Sequence, residues 1–246
     1  MKIFKTLALG IILGGALAIG AQAQTIKTGE DASQTKYGLY LVEGAKVNIA
    51  YVSSDFNLAN YNRIMVGQLA FSLEASDKAA EKKRRKNCSS SMDKLRACTG
   101  ENPFTLNDDD KNKMADLFAK IMAQHMAKGP PIEMVANLSA GVLVFQPTIV
   151  EINLTAPKQS SRYSSASSAR SGVYTRSSGS ITLMGQFFNG ETEELIALIV
   201  DQQIGTDFWH RNSRISNWGD IELAFHHWAR LFRNRLDQDF TIEVQE

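Results

Sequence analysis

The stretch that decides the fold is SNWGDIELAFHHWARLFRNRLDQD, Ser216 to Asp239. Trp218, Ile221, Phe225, Trp228, Phe232 and Leu236 recur at steps of three and four, which at 3.6 residues per turn puts them on one side of a helix. Asn217 is placed to cap the first turn, with Asp220 three residues on, where the exposed backbone N–H groups favour an acid. Each large side chain on such a stripe contributes about 1.5–3 kcal/mol when buried, so the helix needs an apolar face to lie on. The rest of the chain must supply that face.

Working back from the helix, the run GTDFWHRNSRI, Gly205 to Ile215, joins it to a pair of strands, Ile181 to Phe188 and Leu195 to Gln203. Asn189-Gly190 between them is a hairpin signal, because both residues tolerate positive φ. Residues 159–180 hold ten serines, three arginines and almost no aliphatic side chain, and are expected to form a mobile loop. Before that loop lies VLVFQPTIVEINL, Val142 to Leu154, a long strand in which Pro147 predicts a bulge or an edge. A short strand is expected at Ile132 to Val135. Ahead of it, Thr105 and Asp108 open a second helix whose apolar face is Met114, Leu117, Phe118, Ile121 and Met122, and Gly129-Pro130-Pro131 ends it. Further back, Tyr61 to Phe71 reads as the first substantial strand and Val47 to Val52 as a further extended segment. Runs of strands separated by two long helices predict an α+β fold: a mixed, mostly antiparallel sheet with two main helices packed on one face.

The 246 residues are 43% hydrophobic and 22% charged, the composition of a globular chain with a substantial core. Residues 1–23 stand apart. Lys2 and Lys5 precede the apolar run Leu7 to Ile19 and the small-x-small pattern Ala21-Gln22-Ala23, which together read as a secretory signal peptide cut after Ala23. A membrane anchor is the alternative, but the apolar run is shorter than the ~20 residues that a spanning helix needs. Export implies a periplasmic location, with no lipid-attachment cysteine at the cleavage site. Residues 24–36 are polar and expected to be a flexible segment, and residues 37–246 a single domain. Without the two leader lysines the chain carries 25 basic and 26 acidic residues, a balance that argues against nucleic acid as a partner.

One charge feature stands out. Within an insertion at about residues 73–101, Glu81 is followed by Lys82, Lys83, Arg84, Arg85 and Lys86, which cannot be buried together. They form either a solvated face or a contact for an anionic envelope component. The insertion also holds Cys88 and Cys98, the only two cysteines, expected to be disulfide-bonded in an oxidising compartment. A second candidate contact is Phe208, Trp209, His210, Arg211 and Arg214, aromatic and cationic side chains in the connection before the last helix.

No phosphate loop, nucleophile elbow or paired-histidine zinc motif occurs. Ser91-Met92-Asp93-Lys94 and Lys27-Thr28-Gly29 match two motifs of penicillin-binding enzymes in the wrong order, with the middle motif missing, and are read as chance. Asp108, Asp109 and Asp110 lack the spacing of a calcium loop and sit where a helix start favours acids. His226 and His227 point about 100° apart, so they cannot chelate one ion together, and His125 has no second ligand at metal spacing. No catalytic residue, metal ligand or cofactor is therefore assigned. Leu223, Arg230 and Asn234 share the outward face of the last helix.

Ala50 to Val66 (AYVSSDFNLANYNRIMV), Thr105 to Phe118, the hairpin near Asn189 to Ala197, and Asn217-Trp218-Gly219-Asp220 with Phe225, Trp228, Arg235, Leu236 and Asp237 carry a resemblance. Together, over about Tyr37 to Asp239, the chain resembles the uncharacterised bacterial envelope family called domain of unknown function 3313, many of whose members are lipid-anchored. That resemblance implies an envelope location and brings no activity or site residues. The function expected is a non-enzymatic module that binds an envelope protein or component, or assists assembly. The alternative is a hydrolase or transferase whose site is assembled from distant positions.

Overall fold

The computed structural model describes residues 24–28, 33–88, 105–129, 132–154, 173–177, 179–205, 207–212, 214–236 and 243–245. The leader, Cys98 and Ser91 to Lys94 lie outside them, as do residues 155–172 of the serine-rich segment.

The sheet is built around β7 (Val142–Leu154), which occupies the range its apolar run predicts. On one side it pairs antiparallel with β9 (Gly179–Asn189), which pairs in turn with β10 (Leu195–Ile204). Beyond β10 the order continues through β3 (Ile49–Val52), β2 (Tyr40–Glu43), β1 (Thr25–Lys27) and β12 (Glu243–Gln245). On its other side β7 pairs parallel with β4 (Arg63–Val66) and β5 (Ala70–Phe71), and β6 (Glu133–Met134) lies outside β4. The sheet has ten strands among the described residues, mixed and mostly antiparallel, so the α+β expectation holds.

Pro147 explains one departure. The expected single strand Tyr61 to Phe71 is broken into β4 and β5 at residues 67–69. On β7, β4 reaches Phe145 and β5 begins at Thr148, so Pro147, which has no N–H to donate, falls in the gap between them. The bulge in β7 comes later, between Ile149 and Glu151.

The hairpin turn also differs. Asn189-Gly190 is not a two-residue turn: the loop runs to Glu194, and Glu193 is the residue with φ of 58°. The Asn189 side chain instead accepts from the backbone N–H groups of Glu191 and Thr192. A Cβ on Gly190 would stand 2.8 Å from Val142, so close backbone approach is what requires glycine there.

Two further expectations are corrected. Within the segment read as loose, Thr25–Lys27 forms β1 with Ile26 only 1% exposed, because it lies between β2 and β12. Within the segment read as a serine-rich loop, β8 (Val173–Ser177) pairs with β11 (Asp207–Asn212), the run read as a connection. β8 precedes β9 and β11 follows β10 in the chain, and at the end of the β9–β10 pair the Gly205 N–H donates to the Gly179 carbonyl at 3.0 Å. Since β7 pairing ends at Leu154 opposite Gly179, the hairpin leaves the sheet there as a two-stranded ribbon.

Three helices complete the described fold. α1 (Glu74–Cys88) carries the basic run. α2 (Asp108–Met126) starts with a capping box in which Asn107 accepts from the Asp110 N–H at 2.9 Å and Asp110 accepts from the Asn107 N–H at 3.2 Å. Thr105 is thus outside the helix, and the three consecutive acids sit in its first turn as expected. α3 (Arg214–Leu236) begins before Asn217, which is therefore inside the helix and not its cap.

Ile221, Phe225 and Trp228 are buried, and Trp218, Phe232 and Leu236 pack at the margin of the same core. Phe118 of α2 meets Phe225 of α3 edge to face, centroids 5.2 Å apart. Phe232 lies against Phe145 and Phe187 of the sheet at 5.0 and 5.4 Å. The core thus fills the space between one sheet face and the α2–α3 pair.

Candidate functional site

A polar contact locks α3 to the sheet. Trp228 Nε1 donates to Asp201 Oδ2 at 2.8 Å, and the same carboxylate accepts from the Asn48 N–H and from Gln203. Asp201 is 4% exposed on β10, and these donors satisfy it inside the core. Arg233, only 3% exposed, brings its guanidinium against Gly129 just past the end of α2. These two contacts hold the middle and the end of α3.

The middle of α3, on the side away from Trp228, leaves a cleft of about 420 Å³ where the ribbon departs from the sheet. Its strand wall is the end of β7 (Ile152 to Leu154), the start of β9 (Gly179 to Ile181) and the end of β10 (Gln203 to Gly205). Its helix wall includes Asp220, Leu223, His226, His227 and Arg230. Two apolar side chains stand exposed on the walls, Ile204 at 64% and Leu223 at 66%. A smaller pocket of about 140 Å³ opens beside Phe145, Phe187 and Phe232 and is lined mostly by apolar side chains, with Gln24, Lys46 and Arg235 among them.

The structure gathers histidines that the sequence left apart. His125 Nε2 on α2 lies 3.1 Å from His226 Nδ1 on α3, so one ring donates to the other. His227 Nδ1 faces Arg230 at 3.4 Å. His226 and His227 leave the helix in different directions, yet both reach the cleft. Among the described residues no group of three side chains is arranged to hold a metal ion. Ser180 Oγ accepts from Asn153 at 3.2 Å.

His125 titrates below the ordinary histidine value of 6.5, first because burial disfavours its charged form and then because Lys128, His226 and Arg230 repel a proton. The folded chain therefore binds this proton less readily than the unfolded one. The stability attributable to neutral His125 is complete above the unfolded value and declines as pH falls through it toward the folded value. Denaturant midpoints measured from about pH 7.5 to about pH 5 should fall more steeply for the native chain than for His125→Gln. Parallel profiles would show that the ring is not strained by its neighbours.

The residues singled out from sequence fall elsewhere. Lys82 and Arg85 are exposed on α1, and Arg85 pairs with Glu81 one turn back at 3.0 Å, while the side chains of Lys83, Arg84 and Lys86 lie outside the described set. Phe208, Trp209, His210 and Arg211 are on β11 and Arg214 is the first residue of α3; their backbone pairing is described and their side chains are not. Cys88 ends α1, with Cys98 outside the described residues. No helix among the described residues is long and apolar enough to cross a membrane.

Among solved structures, a PelC dodecamer from Paraburkholderia phytofirmans, a point variant, is 10% identical with a TM-score of 0.36, covering 76% of this chain and 95% of that one. A second PelC dodecamer from the same organism is 8% identical with a TM-score of 0.35 over the same shares. No curated protein matches the chain. The family model described as "Protein of unknown function (DUF3313)" matches residues 40–232, which include the β7–β9–β10 sheet, α2 and all but the end of α3, and the chain belongs to that family.

Proposed function

We propose that this chain is an exported envelope protein that acts by binding, as a non-enzymatic partner or assembly module, and that the cleft at the base of the ribbon is its binding site. The observation that carries the reading is the cleft wall itself: Ile204 and Leu223, both largely exposed, beside His226, His227 and Arg230. Sites of about this volume hold compact ligands, and exposed apolar side chains next to polar ones mark contact surfaces.

The same cleft holds the best case for a hydrolase or transferase, since Ser180, Asp220 and two histidines line it. Hydrolysis by a serine needs a base within hydrogen-bond reach of its hydroxyl. Ser180 instead receives Asn153, and the Nδ1 atoms of the two histidines face His125 and Arg230. Retention of envelope components on the immobilised mature chain separates the readings. Binding predicts that Ile204→Asp with Leu223→Asp abolishes retention while Ser180→Ala preserves it. Turnover of a retained component by the native chain, lost in Ser180→Ala, would overturn the proposal in favour of catalysis.

Export carries two further expectations: cleavage after Ala23 and a Cys88–Cys98 bridge. Intact mass of the protein from the periplasm should match a chain starting at Gln24, with neither cysteine alkylated until reductant is added. Labelling of both thiols without reductant would contradict the bridge. The reduced protein should remain folded, because the bridge closes a loop beyond α1 and not the core.

A further inference from the structure

The basic side chains around the cleft form one group. His125 and His226 touch, His227 touches Arg230, and His226, His227 and Arg230 all line the cavity. Lys128 follows one turn after His125, its N–H donating to the His125 carbonyl at 3.1 Å. Lys128 and Arg230 are exposed, and neither forms an ion pair among the described residues. The carboxylate lining the cleft, Asp220, is ten residues from Arg230 along α3, about 15 Å at the helical rise. Two cations and three imidazoles are therefore grouped toward one end of the cleft, and Asp220 is the one carboxylate in its lining. The exposed apolar pair, Ile204 and Leu223, lies along the remainder.

A cleft whose helix wall offers Arg230, His226 and His227 at one end, with His125 of α2 against His226, and an apolar shelf beside them matches an anion attached to an apolar group. A carboxylate has two oxygens and one charge; a phosphate monoester has three terminal oxygens and up to two charges, and better fits the three donors Arg230, His226 and His227 in the wall. We propose that the cleft binds the phosphate monoester headgroup of an amphiphile, with the phosphate at Arg230, His226 and His227, next to the His125–Lys128 end of α2, and the apolar chain on Ile204 and Leu223. This deepens the binding reading above by naming the ligand class. It requires no change in the fold.

The test uses the mature protein with three probes in solution below micelle formation: inorganic phosphate, dihexanoyl phosphatidic acid and dihexanoyl phosphatidylcholine. Ring resonances of His125, His226 and His227 should shift with phosphate and with phosphatidic acid, and phosphatidic acid should bind about tenfold or more tighter than phosphate through its chains. Lys128→Gln with Arg230→Gln, both exposed positions, should weaken phosphatidic acid about tenfold or more. Leu223→Asp should remove the advantage of the lipid and leave inorganic phosphate bound. Absence of histidine shifts with either anion, or equal affinity for phosphatidylcholine, would overturn the proposal. Binding of phosphate with no advantage for the lipid would overturn it as well, by showing an adventitious ion only. If the lipid fails while Ile204→Asp with Leu223→Asp still abolishes retention of envelope components, the binding reading stands and only this ligand class falls; if both fail, the cleft is not the site.

Discussion

Trp228→Ala should destabilise the protein by about 4 kcal/mol, lowering its melting temperature by about 8–16 °C. The side chain is 5% exposed in the centre of the α3 stripe, with Phe225 at 6.0 Å centroid to centroid, so truncation opens a cavity where the helix meets the sheet. It also removes the indole N–H from Asp201, leaving one oxygen of a buried carboxylate with Gln203 alone. Trp228→Phe separates the two effects, since it keeps most of the apolar contact and deletes only the donor; its loss should be about 1–3 kcal/mol. His227→Ala, one residue earlier and half-buried at the cleft, should change stability by about 0.5 kcal/mol or less. Equal melting temperatures for Trp228→Ala and His227→Ala would mean that α3 presents a different face to the sheet.

Gly179→Ala should destabilise by about 3 kcal/mol, the second large effect. Gly179 has φ of 127°, a region that side chains rarely enter, and a Cβ there would fall 2.1 Å from the Asn153 carbonyl oxygen on β7. Gly179 is the first residue of β9, paired with Leu154 at the end of β7, so the strain must be relieved by parting the end of β7 from β9. Gly219→Ala is the contrast. It lies exposed within α3 with nothing near its missing Cβ, and should stabilise by about 0.5–1 kcal/mol through helix propensity. Circular-dichroism melts of both variants check the pair; a Gly179→Ala protein as stable as the native chain would show that a Cβ at position 179 causes no such strain.

The elements that could be read from sequence are those whose pattern is long and local. The α3 stripe repeats over six apolar positions, β7 opens on the apolar run VLVF and continues with alternating apolar residues over thirteen positions, and both appear where their pattern puts them. The α2 face was equally readable, although its cap is Asn107 and not Thr105, because the capping box needs its acid at the third helical position, which Asp110 fills. Short or polar strands were not readable. Three residues of β1 carry no period, and Val173–Ser177 has one aliphatic side chain, so both take their strand state from the partners they meet, β12 and β2 in one case and β11 in the other.

The cleft was less legible than the fold, since its parts come from four elements and its pairings span long separations. His125 and His226 are 101 positions apart, and nothing local in either helix relates them. One trace was present: Asp201 follows directly on the apolar run LIALIV, and a buried acid on that strand requires a donor, which Trp228 supplies. Arg233 had no such trace, as it follows Phe232 in a last turn that also holds Asn234 and Arg235, and its guanidinium finds room against Gly129.

The most direct test of the cleft as the binding site is photo-crosslinking in living cells, with a benzoylphenylalanine placed singly at Ile204, at Leu223 or at Asn234. Ile204 and Leu223 stand on opposite walls of the cleft, on β10 and α3, whereas Asn234 is exposed further along α3 and does not line it. Positions 204 and 223 should yield the same discrete adduct and position 234 none. Adducts at 234 as strong as those in the cleft, or none at either cleft wall, would contradict the cleft as the binding site.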